Sequence, residues 1–121
     1  MPLHIHSPTE IVAEGTPSKR IQEFVGCVNT STPEVSIARM LSPVGWSEPG
    51  QTPEFTEYTL VLRGVLRVET RDQTIEVSAG EAIQTDPGEW VRYSTPHEDA
   101  EYVAVCLPAF SLGAVHRDSV Q

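Results

Sequence analysis

The chain has 121 residues and carries 17 acidic against 8 basic side chains, which gives a formal net charge of −9. This length fits one domain with a single core. So acidic a surface repels DNA and RNA, and no lysine or arginine cluster makes a local exception, so we expect no nucleic-acid partner.

The first ten residues, "MPLHIHSPTE", contain no basic region followed by an apolar run, so they do not form a secretory signal. No apolar stretch reaches the roughly 20 residues that cross a membrane. We therefore expect a cytoplasmic protein without a membrane partner. The two cysteines, Cys27 and Cys106, form no CxxC pair, and Cys106 lies in an apolar run where a buried, inert thiol is expected.

The first predicted element lies between Pro17 and Gly26. "PSKRIQEFVG" fits a short helix with Ile21, Phe24 and Val25 on one side, while the overlapping "RIQEFVGCV" fits a strand equally well. The N-terminal part thus contains a short helix or a strand.

Strand patterns dominate the rest of the chain. Apolar and polar residues alternate in short runs separated by Gly, Pro and Asp, and ten prolines with eight glycines indicate many turns. The predicted strands cover 34–42, 57–64, 65–72, 74–80, 81–95 with a break at 86–88, and 100–108. Seven or so short strands at this spacing predict an all-β sandwich or barrel.

One strand also indicates assembly. In "TEYTLVLR", Tyr58, Leu60 and Leu62 alternate with Glu57 and its face. If Glu57 points into a lumen, the apolar face points outward and needs cover from a second subunit or from the N-terminal segment. We expect a homodimer.

The region from Gly45 to Gly64 resembles the first motif of the cupin family. That motif reads Gly, five residues, His-x-His, three or four residues, Glu, six residues, Gly. Here Gly45, Glu57 and Gly64 are in register, with Gln51 and Pro53 at the two histidine positions.

The second cupin motif is partly matched. It reads Gly, five residues, Pro-x-Gly, two residues, His, three residues, Asn. Gly80 and Gly88 are in register, Pro87 is one place late, Val91 replaces the histidine and Thr95 the asparagine. The resemblance implies a cupin jelly-roll β-barrel over 34–110, after an N-terminal segment, 1–33, that packs on the barrel or a dimer partner, and before a C-terminal tail, 111–121.

In typical cupins three histidines and the glutamate hold a divalent metal inside the barrel. Only Glu57 is retained at a family position, so the resemblance implies no metal ligand set and no cofactor. The ethanolamine-utilisation type of cupin, similar around "YTLVLRGVLRVE", also lacks the histidines and keeps glutamates in the pocket. A carboxylate in an apolar lumen has a raised pKa, which suits a general acid or base.

Candidate site residues follow from this register. Glu57 is the expected general acid or base. Tyr93, on the same strand face as Val91, is the expected catalytic partner. Four further residues near the barrel mouth are expected ligand contacts: Gln51, Glu54, Trp46 and Trp90. The plainer alternative for the two tryptophans is a structural role in the core. For Glu48 and Glu54, a solvated position on the surface is an equal alternative, since it is the commoner place of a glutamate.

Three functions stay open at this point. The first is a cupin that binds a small molecule in its lumen, with acid–base catalysis by Glu57. The second is a non-catalytic, metabolite-sensing or assembly module. The third is an atypical site in which a divalent metal binds weakly to Glu57 and Gln51 with His97 or His116. The spacing of "HIH" at 4–6 also suits a metal pair, but a frayed end is the expected state.

Overall fold

The computed structural model describes residues 1–119 of the chain. Within that range, ten strands and one helical turn follow each other in the order β1 (Thr9–Ile11), β2 (Arg20–Val25), β3 (Ser36–Ser42), β4 (Trp46–Ser47), β5 (Thr56–Arg63), β6 (Val65–Glu69), β7 (Thr74–Ser78), β8 (Ala82–Thr85), β9 (Arg92–Thr95), β10 (Ala100–Leu107) and α1 (Leu112–Val115). None of the helical residues in this range forms a segment long and apolar enough to cross a membrane.

The strands form two antiparallel sheets. The larger has the order β1-β2-β3-β10-β5-β8 and the smaller the order β4-β9-β6-β7. Their facing sides enclose a core that includes Trp46, Val61, Leu66, Val91 and Tyr102. The predicted all-β jelly-roll barrel is confirmed.

The ambiguous segment at 17–26 is a strand. β2 pairs with β1 on one side and with β3 on the other, so its backbone groups are satisfied by the sheet rather than within a helix. The segment 1–33 thereby contributes two strands to the larger sheet. β1 and β4, at three and two residues, are too short to give a sequence signal.

The two faces of β5 are those that its alternation predicts. Thr59 and Val61 are buried, whereas Tyr58, Leu60 and Leu62 are 43%, 46% and 49% exposed on the outer face of the larger sheet. At the end of this strand the chain turns at Gly64, where φ is 80° and an added Cβ would lie 2.1 Å from a backbone oxygen. Only glycine fits this corner.

The C-terminal segment runs along the outside of residues 50–54. Its backbone accepts hydrogen bonds from Thr52 and Glu54 at 3.1 and 2.8 Å, and Asp118 N–H donates to Gly50 at 2.8 Å. Val115 anchors the segment in a small apolar cluster beside the main core. This pairing places residue 117 at one end of the barrel, where it lines the cavity. Residues 120 and 121 of the predicted tail lie outside the described range.

Candidate functional site

A cavity of about 60 Å³ lies inside the barrel. The larger sheet forms most of its wall, the smaller sheet adds one side chain from β9, and the segment after β4 and the C-terminal segment close one end. A space of this size holds several water molecules or a small ligand. Its polar lining residues are Lys19, Glu23, Ser36, Glu48, Gln51, Glu57, Tyr93, Tyr102, Cys106 and Arg117.

Glu57 projects into this cavity from β5. Its strand partner is Cys106, and Thr59 Oγ1 donates a hydrogen bond to Glu57 Oε2 at 3.4 Å. Burial and then the neighbouring carboxylate of Glu48 raise the pKa of Glu57 to about 7, against the opposing effect of Lys19. Near neutral pH this carboxyl group is therefore present in both protonation states, as a general acid–base requires.

Glu48 is the second acid of the cavity and is 7% exposed. Burial raises its pKa, and the nearby cations Lys19 and Arg117 act against that shift. Arg117 Nη2 lies 4.0 Å from Glu48 Oε2. The alternative of a solvated surface acid does not hold for Glu48, because the segment after β4 folds inward at this residue. The negative charge of Glu48 in turn raises the pKa of Glu57.

Lys19 supplies a positive charge from the connection before β2. Its Nζ lies 4.1 Å from the centroid of the Trp46 ring and donates to Tyr102 Oη at 3.4 Å. Burial lowers the pKa of Lys19, but Tyr102 and the carboxylate of Glu48 outweigh that effect, and the net shift is upward. The ammonium therefore stays charged inside the barrel.

Tyr93 lines the same cavity from β9 and is 4% exposed. Its hydroxyl lies 3.4 Å from Thr85 Oγ1. Burial and then the negative charge of Glu57 raise the pKa of Tyr93 well above its ordinary value. Tyr93 is thus a neutral hydroxyl that can donate a hydrogen bond.

Gln51 and Arg117 face each other across the closed end. They are opposed in an antiparallel bridge, and Gln51 is 4% exposed. Within the described part of the chain, Gln51 Oε1 and Arg117 Nε are buried and have no hydrogen-bond partner. Buried polar atoms in this state are uncommon in folded proteins.

The structure thus brings three of the predicted site residues together, namely Glu57, Tyr93 and Gln51. It places Trp46 away from the lumen surface, fully buried in the core with its indole N–H donating to the carbonyl of Glu14 at 3.2 Å. Its ring packs against the ammonium of Lys19, which lines the cavity.

Trp90 and Glu54 lie outside the cavity. The Trp90 indole donates to Asp118 Oδ2 at 2.9 Å and packs against Gly50, so it supports the closed end from outside. Glu54 is exposed and pairs with His116 on the surface. Trp46, Trp90 and Glu54, which the sequence predicts as ligand contacts, are therefore not among the residues that line the cavity.

The donor set at the family's metal positions does not fit a divalent metal. Gln51 offers an amide oxygen and Glu57 a carboxylate, but Pro53 and the fully buried Val91 offer no ligand atom. Such sites need three or four converging ligands. Across residues 1–119 no group of three or more His, Cys, Asp and Glu side chains is placed to hold a metal ion.

The histidines lie elsewhere. His97 contacts Arg67 and Glu76 on the exposed outer side of the smaller sheet. His116 turns outward to Glu54, and the rings of His4 and His6 stack on each other at 4.0 Å near the N-terminus. The positions of His97 and His116 do not support the atypical metal site.

Sequence reasoning missed Lys19, Tyr102 and Arg117. Lys19 lies in the segment 17–26, which fits a helix and a strand equally well and so does not fix where its side chains point, and Arg117 lies 60 positions after Glu57 in a segment without a motif. Both side chains reach the cavity because of how distant segments pair in the fold, and the residues next to each in the sequence do not indicate that pairing. Tyr102 had a usable signal, because it shares a face with Cys106 on a predicted strand.

Comparison with known proteins agrees with this architecture. The model of the family described as "Cupin domain" matches residues 39–106. The chain is similar to the structure of the polyketide cyclase RemF from Streptomyces resistomycificus, with 18% identity, a TM-score of 0.76, and coverage of 100% of this chain and 87% of that one. It is also similar to a putative ethanolamine utilization protein Q from Salmonella typhimurium, with 17% identity, a TM-score of 0.68, and coverage of 85% and 97%.

A curated relative is closer in sequence. The endoribonuclease YbeY of Myxococcus xanthus is 44% identical over 102 residues, which cover 84% of this chain. The match covers 35% of that protein, so the chain spans about a third of its length.

Proposed function

The chain belongs to the cupin domain family, and from that premise we propose that it binds a small organic molecule in its barrel and transfers a proton on that molecule through Glu57. The observation that carries the proposal is the carboxyl group of Glu57 in a largely apolar cavity inside the barrel, with a pKa raised by burial and by Glu48 to about 7. Perturbed acids in clefts are typical of catalytic sites.

The surrounding residues have defined parts in such a reaction. The protonated form of Glu57 donates to a ligand oxygen, and its anionic form accepts a proton from a ligand carbon or hydroxyl. The neutral hydroxyl of Tyr93 donates a hydrogen bond, and the ammonium of Lys19 stabilises negative charge that develops on the ligand. None of these steps involves a metal ion.

The test combines a ligand screen with one substitution. Purified protein is screened against metabolites by thermal shift, and each stabilising compound is incubated with the protein and analysed for chemical change. We expect at least one ligand to be converted, with turnover lost in Glu57→Gln and kept in the matched control Glu34→Gln, an exposed acid. Binding without conversion would instead support the sensing module.

Elemental analysis of the untagged protein addresses the metal alternative. We expect no transition metal near one equivalent, because the donor set supplies one carboxylate and one amide. Near-stoichiometric zinc, iron, manganese or nickel would contradict the metal-free proposal and would direct mutagenesis to Glu57, His97 and His116.

We also propose a homodimer in which a second copy covers the outer face of the larger sheet. Tyr58 and Leu60 of β5 pair with Val105 and Val103 of β10, which makes the exposed apolar surface continuous across two strands. Such surfaces mark interaction sites. Sedimentation analysis should show a dimer that Leu60→Lys converts to a monomer, while Leu112→Lys, on the exposed helical turn, has no effect. A monomeric native protein would refute this proposal.

The endoribonuclease name of the Myxococcus relative is not carried over. The shared region is about a third of that protein, and the charge of −9 disfavours RNA binding. The cytoplasmic location and the lack of a nucleic-acid partner stay predictions from the sequence.

A further inference from the structure

Two buried atoms at the closed end of the cavity specify what a ligand must offer. Gln51 Oε1 accepts hydrogen bonds and Arg117 Nε donates one, and neither has a protein partner within residues 1–119. The two residues oppose each other in the same bridge, so both side chains start from neighbouring backbone positions. A molecule that satisfies both must present a donor and an acceptor close together.

Lys19 adds a second cationic donor. Its ammonium has three N–H groups, and one long hydrogen bond to Tyr102 Oη at 3.4 Å. In the described residues no carboxylate oxygen lies within ion-pair distance of Lys19. Two cationic side chains, Lys19 and Arg117, therefore line the cavity, and Arg117 Nη2 also lies 4.0 Å from Glu48 Oε2. A carboxylate is the acceptor that best matches two such donors.

From these contacts we propose that the ligand is a small hydroxycarboxylate, bound with its carboxylate toward Lys19 and Arg117 and its hydroxyl donating to Gln51 Oε1. This deepens the proposed function and rests on it, since it assumes that the cavity is a ligand site. The small volume, about 60 Å³, favours acids of few carbon atoms.

Glu48 and Glu57 do not oppose such a ligand, because their raised pKa values allow them to become neutral. Glu23 directs Oε2 to the backbone N–H groups of Val28 and Asn29, at 3.0 and 2.8 Å. Burial raises the pKa values of Glu48 and Glu57, and a bound anion raises both further. The titratable and charged groups that face the ligand space are Lys19, Glu23, Glu48, Glu57, Tyr93, Tyr102, Cys106 and Arg117.

Binding should therefore be accompanied by proton uptake. The ligand is already ionised, Lys19 keeps its charge, and the proton is taken up by the Glu57–Glu48 pair. Affinity for the carboxylate is expected to rise as the pH falls through about 7, the pKa of Glu57. Calorimetry in two buffers of different ionisation enthalpy measures the number of protons taken up.

Three probes separate charge from hydroxyl recognition on the native protein. Glycolate has both groups, glycolamide keeps the hydroxyl without the charge, and acetate keeps the charge without the hydroxyl. We expect glycolate to bind at least about tenfold more tightly than either analogue, the effect of one hydrogen bond to a charged or buried group. Glycolamide within about threefold of glycolate would overturn the inference.

Variants assign the contacts. Gln51→Leu should bring glycolate down to the affinity of acetate and leave acetate unchanged, whereas Lys19→Met should weaken both acids. The matched control Arg20→Gln removes an exposed cation paired with Glu10, and should change neither. Equal loss of glycolate and acetate in Gln51→Leu would contradict the placement of the hydroxyl.

The experiments distinguish failure of the proposed function from failure of the hydroxycarboxylate inference. If neutral compounds bind in the cavity and are converted while glycolate and acetate do not bind, the hydroxycarboxylate inference is wrong and the proposed function stands. If no compound in the screen binds, both are wrong.

Discussion

The substitution Glu57→Gln should change how stability depends on pH. The pKa of Glu57 is raised from 4.5 to about 7 on folding, first by burial and then by Glu48. Between those values the folded protein holds a proton that the unfolded chain releases. The contribution of this group to the free energy of unfolding therefore falls as pH rises through this window, and changes no further above about 7.

The magnitude follows from the size of the shift. At about 1.4 kcal/mol per pKa unit, ionising Glu57 in the folded state costs about 3 kcal/mol relative to the unfolded chain. The glutamine has no charge to bury. Relative to the native protein, Glu57→Gln should therefore gain about 3 kcal/mol between about pH 4.5 and pH 7.5.

Urea unfolding followed by tryptophan fluorescence across this pH range measures the difference. Glu48 titrates in both proteins, and because the two carboxyl groups interact, the difference reports on Glu57 together with its effect on Glu48. Glu34→Gln, an exposed acid, should give a curve parallel to that of the native protein. Parallel curves for Glu57→Gln would refute the reasoning, because they would mean that Glu57 is solvated or paired at every pH.

Three further predictions concern the scaffold. In chemical denaturation, Gly64→Ala should lower the free energy of unfolding by at least about 2 kcal/mol, because φ is positive and a backbone oxygen lies 2.1 Å from the new Cβ. Its control, Gly80→Ala, has a similar φ and no atom within 4 Å of the new Cβ, and should lower that free energy by only about 1 kcal/mol. Cys27 is exposed and should react with a thiol reagent in the native state, whereas Cys106, whose pKa burial raises, should react only after unfolding; two fast native thiols would contradict the buried position. Val115→Ala should cost about 2 kcal/mol and speed limited proteolysis of the C-terminal segment; unchanged cleavage would show that the apolar anchor does not hold it.

Most of the barrel could be predicted because apolar and polar residues alternate along its strands. The inward and outward faces of β5 follow from period two alone, and the turns at Gly64 and Gly88 follow from the conformations that they require. The segment 20–25 could not be assigned, since its strand form depends on partners on both sides. Local patterns do not contain that information.

The site was predictable in one part only. The register of Glu57, with Tyr93 and Gln51, located the lumen face. Lys19 comes from a segment whose secondary structure the sequence leaves ambiguous, and Arg117 from one without a regular pattern. Their positions depend on how the two ends of the chain pack on the barrel. The positive charges that line the cavity therefore could not be located from the sequence alone.

The central claim is that Glu57 exchanges a proton near neutral pH inside a ligand cavity. A carbon-13 NMR titration of the glutamate side-chain carboxyl groups, with the Glu57 signal assigned by its loss in Glu57→Gln, measures this directly. The account predicts an apparent pKa of about 7 for Glu57. A midpoint near the ordinary value of 4.5 would contradict it, because the group would then be an ordinary ionised carboxylate at neutral pH.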